Sequence, residues 1–241
     1  MIRPGAPSSL AILLLAAACR APGPATSVEV STWGTMHEVL REGQSEARVA
    51  LAGLAGPGSI GVGALEGLAG EVTVIDGRVL VAAAGAASRP GGAPAECELR
   101  EVEADDRAAL LVLADVPAWE EHDLGACASY EELDGAIAAV LRRRGHDLAG
   151  PVPVRVRGRA RDLELHVLAG ACPIGNPSGP PPWRWRGSCD EVELVGFFAE
   201  GAAGRLTHHT HRSHLHALAG EAMGHLDEVA LEHAVLLLPA R

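Results

Sequence analysis

The strongest constraint on the fold is a histidine pattern near the carboxyl end, where His214-Leu-His216 is followed by Gly224-His225. Residues two apart on a strand share a face, so His214 and His216 point to the same side. If residues 219–223 form the turn of a hairpin, His216 lies opposite His225, with Cβ atoms about 4.5–5.5 Å apart. Three neutral imidazoles and an open position are a ligand set of catalytic zinc. The pattern therefore predicts a metal-binding hairpin, with Zn²⁺ expected and other divalent transition metals compatible with imidazole.

A second set of histidines competes with the hairpin set. His208, His209 and His211 precede it, and a histidine-rich tract can also be a solvated metal-scavenging loop. These residues follow a glycine-rich segment (201–204) and lack the flanking apolar alternation of a strand. We therefore favour His214, His216 and His225 as the ligands.

The composition indicates a folded protein that does not bind nucleic acid. Of the 241 residues, 48% are hydrophobic, which is enough to bury a large core. The formal net charge is −11, whereas proteins that bind nucleic acid present a basic surface to the phosphates.

The amino-terminal segment is typical of an exported protein. Arg3 precedes an apolar run (10–18) that is too short to span a bilayer as a helix and ends in small residues before Cys19. We interpret residues 1–18 as a signal peptide, Cys19 as a lipidation site and residues 19–27 as a tether. The expected location is the periplasm or the outer membrane as a lipoprotein, with plain secretion as the alternative.

Export changes the interpretation of the remaining cysteines. Cys97, Cys127, Cys172 and Cys189 form an even set, which favours disulfides in an oxidising compartment. Cys172 and Cys189 bracket a Pro/Gly-rich insertion (173–188), so we predict that they pair with each other, which leaves Cys97 to pair with Cys127.

The order of patterns predicts an α+β protein with two sheets and few short helices. Asp76-Gly77 between apolar runs indicates a hairpin turn. Ser129 and Glu132 form a capping box that opens a helix over residues 133–144. Strands outnumber helices, and we predict an N-terminal sheet region (28–145) and a C-terminal sheet region (151–241) that carries the histidine hairpin.

Two stretches together resemble the α-acetolactate decarboxylase family. Gly61-Val-Gly-Ala-Leu-Glu-Gly-Leu-Ala-Gly-Glu71, continued by Asp76-Gly77, is similar to that family's GxGTFxxLDGE…DG pattern. His214-Leu-His216 with Gly224-His225-Leu-Asp227 is similar to its HLH…GHVLD pattern. The resemblance covers residues 28–238. It implies mixed or antiparallel sheets with a metal cleft between them, a homodimer, zinc on His214, His216 and His225, and Glu71 as the active-site glutamate.

The sequence departs from the family at two positions of the expected site. His166 stands where the family carries an arginine that contacts the substrate, and Ala64 replaces a threonine. We assign His166 as the second catalytic residue beside Glu71. The alternative is that Arg155, Arg157, Arg159 or Arg161 supplies the missing guanidinium from a neighbouring position.

The resemblance implies a zinc-dependent carboxy-lyase that converts 2-acetolactate, a small 2-hydroxy-3-keto acid, to acetoin and CO₂, with the metal as Lewis acid. The alternative is a non-catalytic, exported binding lipoprotein for a metal or small ligand, derived from the same fold. The two hypotheses differ in whether Glu71 and His166 face the three imidazoles.

Overall fold

The computed structural model describes residues 28–85, 92, 94, 96–207 and 211–240. The predicted signal peptide and tether lie outside these residues, as do Cys19, His208 and His209. Within the described residues, no helix has both the length and the apolar character needed to cross a membrane.

Seven strands form the first sheet, and every neighbouring pair is antiparallel. The strands are β1 (Val30–Trp33), β2 (Val49–Ala50), β3 (Ser59–Leu65), β4 (Gly70–Ile75), β5 (Arg78–Ala84), β6 (Cys97–Glu101) and β7 (Arg107–Asp115). Their order in space is β1-β7-β3-β4-β5-β6, and β2 also pairs with β7. Single helical turns at His37–Arg41 and Glu66–Leu68 connect β1 to β2 and β3 to β4. The turn between β4 and β5 is formed by Asp76 and Gly77, both with positive φ (49° and 80°), as predicted from the sequence.

Five strands form the second sheet, which is also antiparallel. They are β8 (Trp119–Cys127), β9 (Val152–Val167), β10 (Trp183–Phe198), β11 (Ser213–Ala219) and β12 (Ala222–Pro239). The order is β11-β10-β9-β12-β8, and β11 also pairs with the start of β12. Because β11 bonds to both β10 and β12, these four strands close on themselves.

The described residues contain one α-helix, α1 (Tyr130–Arg143), which packs against the closed part of the second sheet. It begins at the predicted cap, where the Glu132 backbone N–H donates to Ser129 Oγ at 3.2 Å. Leu133, Ile137 and Leu141 are fully buried in the same cluster as the strand residues. The predicted α+β class, with two sheets and few helices, is confirmed.

Several predicted elements have different bounds in the structure. Residues 152–167 form one continuous strand, and Gly158 lies within it. Residues 183–188, the last part of the Pro/Gly-rich insertion, begin β10. The chain passes from the first sheet to the second between β7 and β8, because β8 pairs with β12. This point precedes the 145–151 segment at which we divided the chain. The division into two regions stays a prediction.

The two sheets pack against each other through β3 and β10. Ile60 and Val62 of β3 share a buried cluster with Val195 and Phe197 of β10. Beside them, Gly196 lets β10 approach β11 closely, because a Cβ on Gly196 would lie 1.9 Å from the His214 carbonyl oxygen. β10 therefore packs on β3 of the first sheet and holds β11 close beside it.

The predicted disulfides are absent, and Cys97, Cys127, Cys172 and Cys189 are all free. Cys189 pairs with Ala160, seven residues along β9 from Val167, which is about 20 Å at the rise of a strand. Cys172 shares a buried cluster with Leu168, just past that end of β9, so its thiol lies far from Cys189. Cys97 is on an edge strand of the first sheet, whereas Cys127 is buried beside α1 in the second.

A buried arginine joins the two sheets. The Arg155 side chain on β9 donates from Nη1 to Asp76 Oδ1 at 2.6 Å, in the turn of the first sheet, and from Nε to Glu193 Oε1 at 2.8 Å on β10. Only 8% of the Arg155 side chain is exposed. We expect Arg155→Ala to lower the free energy of unfolding by about 1.5–3 kcal/mol, because it removes hydrogen bonds to Glu193, which is 26% exposed, and to Asp76, which is 61% exposed. Urea denaturation measures this loss.

The matched control is Arg157→Ala, on the same strand two residues away. The Arg157 side chain is 53% exposed and forms a 3.3 Å ion pair with Glu121 at the surface. Its loss should cost less than about 1 kcal/mol. Equal effects of the two substitutions would show that the ion pairs of Arg155 between the sheets contribute no more to stability than a surface ion pair.

Candidate metal centre and active site

Three imidazoles converge where β11 meets β12. The hairpin has the predicted register, with His216 opposite His225, although its turn is only Gly220-Glu221 and not the five residues expected. His214, His216 and His225 are all buried. One nitrogen from each ring lies within 4.8 Å of the others.

The surroundings of the His216 ring are suited to a bound cation. Its Nδ1 is 2.9 Å from Thr73 Oγ1, and its Nε2 is buried without a hydrogen-bond partner among the described residues. Burial, then the neighbouring His214 and His166, hold the pKa of His216 well below its usual value. The ring is therefore neutral, and in the tautomer that leaves the Nε2 lone pair free for a metal, Nδ1–H donates to Thr73 Oγ1. This donor set suits a divalent transition metal.

Glu71 brings a carboxylate from the first sheet to the imidazoles. It lies on β4, and its Oε2 is 3.7 Å from His216 Nε2. Its Oε1 accepts a 3.4 Å hydrogen bond from the Leu168 backbone N–H. The side chain is only 5% exposed, so Glu71 is not a solvated strand end. Burial raises the pKa of Glu71 well above its usual value, which favours the protonated acid.

His166 lies on β9 directly opposite His225, and the two ring centroids are 5.0 Å apart. Its Nδ1 is 2.7 Å from Asp227 Oδ1. Burial tends to raise the pKa of Asp227, but the bonds and charges of His166 and Arg184 outweigh it and hold that pKa below the usual value. Ionised Asp227 therefore orients the His166 ring.

These side chains share one cavity between the two sheets. Glu71, His166, His214 and His225 line it together. Its remaining walls are mostly apolar and come from both sheets and the segments beside them: Met36, Leu40, Gly63, Ala64, Leu110, Leu168 and Cys172. The cleft between the sheets, expected from the resemblance, is present.

The fold has close counterparts among solved structures. Over 88% of this chain and 86% of the other, it superposes on α-acetolactate decarboxylase from Bacillus subtilis strain 168 with a TM-score of 0.66 at 17% identity. The chain has the fold of α-acetolactate decarboxylase. The enzyme from Bacillus subtilis subspecies spizizenii superposes with a TM-score of 0.67 at 16% identity, over 88% of this chain and 86% of that one.

A protein of unknown function similar to α-acetolactate decarboxylase, from Staphylococcus aureus, gives a TM-score of 0.67 at 17% identity. It covers 86% of this chain and 84% of its own. No protein-family model matches the sequence, and no curated protein matches it significantly. The similarity to acetolactate decarboxylase is therefore found in the comparison of folds and not in the comparisons of sequence.

The arginines that we considered as substitutes for the acetolactate decarboxylase arginine do not reach the cavity. Arg155 bonds to Asp76 and Glu193, whereas Arg157, Arg159 and Arg161 are exposed at the surface. Of the alternative metal set, only His211 lies in the described part of the chain, and its ring stacks on Tyr130 with the ring centroids 4.1 Å apart. Of the residues considered for the place of that arginine, His166 is the one that lines the cavity.

Sequence reasoning missed three residues around the site. Thr73 could have been found, because it lies two residues after Glu71 and so shares its strand face. Asp227 belongs to the quoted histidine motif, but its partner His166 is distant in sequence. Arg184, which bonds to Asp227 at 2.7 Å, lies in the Pro/Gly-rich insertion, to which we assigned no site residue.

Thr73 provides a test of metal binding that spares the ligands. We expect Thr73→Val, which keeps the size of the side chain, to weaken zinc binding about 10–100-fold, because His216 loses the partner that fixes its tautomer and orientation. Competition with a fluorescent chelator measures the affinity. The control is Thr32→Val on the exposed edge strand β1, and unchanged affinity in the Thr73 variant would contradict this role.

Proposed function

We propose that the protein is a metal-dependent decarboxylase that converts 2-acetolactate to acetoin and CO₂, with Zn²⁺ as its metal. The observation that carries the proposal is that a buried carboxylate, Glu71, lies 3.7 Å from the buried His216 nitrogen and lines one cavity with His214 and His225. The fold of α-acetolactate decarboxylase supports the same reaction class. A non-catalytic binding protein would have no need of a buried acid at that position.

His214, His216 and His225 would hold the metal. A bound divalent ion supplies Lewis acidity, which polarises the hydroxyl and ketone oxygens of the substrate. The chain itself contributes ring orientation: Thr73 fixes His216, and the β11–β12 register sets His225 against it.

Glu71 would deliver the proton that the reaction needs. The bond between the substrate's carboxylate carbon and C2 breaks, CO₂ leaves, and the electron pair is delocalised onto the neighbouring ketone as an enolate. Protonation of C2 then gives acetoin, so the reaction consumes one proton. Buried Glu71 holds that proton beside the imidazoles and regains it from solvent after each turnover.

His166 and the apolar walls would position the substrate. His166 is held by Asp227, so its other ring nitrogen is available to contact a substrate oxygen. Leu110, Leu168 and Met36 line the cavity, and such walls limit water around the reacting carbon.

Purified protein loaded with zinc should form acetoin from 2-acetolactate faster than the spontaneous reaction. The amounts of acetoin and CO₂ should be equal, and removal of the metal by a chelator should return the rate to the spontaneous one. No acceleration by protein that carries one metal per chain would reject the proposal.

We also propose that the chain is exported and anchored through a lipid on Cys19. The support is the amino-terminal sequence pattern. Cells labelled with radioactive palmitate should yield labelled protein, and Cys19→Ala should abolish the label.

A further inference from the structure

A row of opposed residues leads from the metal cluster to the rim of the second sheet. His216 on β11 faces His225 on β12, His225 faces His166 on β9, and His166 faces Arg184 on β10. Directly opposed residues lie on the same sheet face. Arg184 is therefore two strands from His225, about 10 Å away at the spacing of neighbouring strands.

The outer end of this row opens into a second cavity, which we call the vestibule. His166, Cys172 and His225 line both the vestibule and the inner cavity, so the two are adjacent. The vestibule is further lined by Pro173, Ile174, Pro182, Arg184, His211 and Asp227. A ligand on its way to the imidazoles through this opening passes Arg184.

Arg184 is held in place but keeps donors for a ligand. Its Nη1 donates to Asp227 Oδ2 at 2.7 Å, and Asp227 Oδ1 bonds to His166. A guanidinium has five N–H donors, of which this bond uses one. The side chain is 60% exposed, so the remaining donors are open to the vestibule.

Because the chain as a whole is negatively charged, a cationic side chain in the vestibule matters for the binding of an anion. The formal net charge is −11 and the sequence contains no lysine, so the overall field repels an anionic substrate. Among the residues described as lining the inner cavity and the vestibule, Arg184 is the only arginine. Guanidinium also matches a carboxylate in geometry.

We infer that Arg184 selects a negatively charged substrate, by binding its carboxylate beside His166 while the hydroxyl and ketone oxygens face the imidazoles. The inference rests on the proposed function for the position of the substrate. Arg184 is then a specificity-determining residue, and Asp227 is the positioning residue that aligns it with His166.

Two stable analogues test this inference without turnover. The anion 2,3-dihydroxy-2-methylbutanoate keeps both chelating oxygens and the carboxylate, whereas butane-2,3-diol lacks only the carboxylate. Calorimetry on zinc-loaded protein should show that the wild type prefers the anion. Arg184→Met should weaken binding of the anion about 10–100-fold and leave binding of the diol unchanged.

Arg186→Met is the matched control, because it removes the same charge two residues along the same strand. Arg186 is 63% exposed, bonds to Asp162 and Glu164, and lines neither cavity. This variant should keep the preference for the anion. Rising ionic strength should weaken binding of the anion to the wild type and to Arg186→Met more than to Arg184→Met.

The inference is overturned if the wild type does not prefer the anion, if Arg184→Met keeps that preference, or if both variants lose it equally. Failure of the proposed chemistry gives a different result, in which the preference for the anion depends on Arg184 but no acetoin forms.

Discussion

Replacing His216 by alanine should abolish stoichiometric metal binding. His216 is the most deeply buried of the three imidazoles, and its Nε2 faces the cluster without another hydrogen-bond partner among the described residues. Two imidazoles then remain, so affinity should fall by more than the 10–100-fold that loss of a supporting hydrogen bond costs. Elemental analysis after gel filtration should find about one zinc ion per wild-type chain and none in the variant.

Stability gives a second measure of the same change. A metal at about 1,000 times its dissociation constant stabilises the folded protein by about 4 kcal/mol, so chelation should lower the Tm of the wild type. The Tm of His216→Ala should not respond to chelator. His233→Ala, which removes an imidazole that is 63% exposed, is the control and should behave as the wild type. Zinc retained at one ion per His216→Ala chain would contradict the assignment of the metal centre.

Replacing Glu71 by glutamine should separate chemistry from metal binding. Glutamine has nearly the same size and keeps an oxygen for the Leu168 N–H, but it cannot exchange a proton. We expect acetoin formation to fall about 10²–10⁴-fold, the usual contribution of a positioned acid or base. Zinc content should stay at one ion per chain. Steady-state kinetics with 2-acetolactate, beside elemental analysis of the same preparation, makes the comparison.

Glu66→Gln is the control for Glu71. Glu66 lies five residues earlier, is exposed, and accepts a 3.3 Å hydrogen bond from the Ala47 N–H outside the cavity. Its replacement should leave the rate unchanged. The Glu71 variant should also be no less stable than the wild type, because the buried acid is replaced by a neutral side chain that keeps its backbone hydrogen bond. A Glu71→Gln enzyme that works within a few-fold of the wild type would remove Glu71 from the mechanism.

The two substitutions together distinguish the proposed enzyme from a binding protein. An enzyme loses activity in both variants but metal in only one of them. A binding protein loses metal in His216→Ala and has no acetoin-forming activity to lose. The position of Glu71 between the sheets is what leads us to expect the first result.

The metal hairpin is the part of the site that local sequence pattern predicts best. Alternation with a period of two places His214 and His216 on one face, and the short turn brings His225 opposite His216. The Asp76-Gly77 turn and the Ser129 cap were predictable for the same reason, since each depends on backbone conformations or hydrogen bonds within a few residues.

The disulfides show where such reasoning fails. Pairing of Cys172 with Cys189 rested on the assumption that the intervening segment is a loop that returns to its start. Residues 183–188 extend β10 along β9, which carries Cys189 down the strand and away from Cys172. Nearness in sequence does not imply nearness in space once a strand begins between the two residues.

By itself, the sequence determined which residues share a strand face and which turns join neighbouring strands, because those depend on interactions within a few residues. Only the tertiary structure decided that Glu71 and Thr73 of one sheet meet His216 of the other, and that the register of β9 and β10 places Arg184 beside His166. The physical reason is that alternation specifies the face of a strand but not its partner. The partner is chosen by the packing of whole sheets, through contacts between residues far apart in the chain.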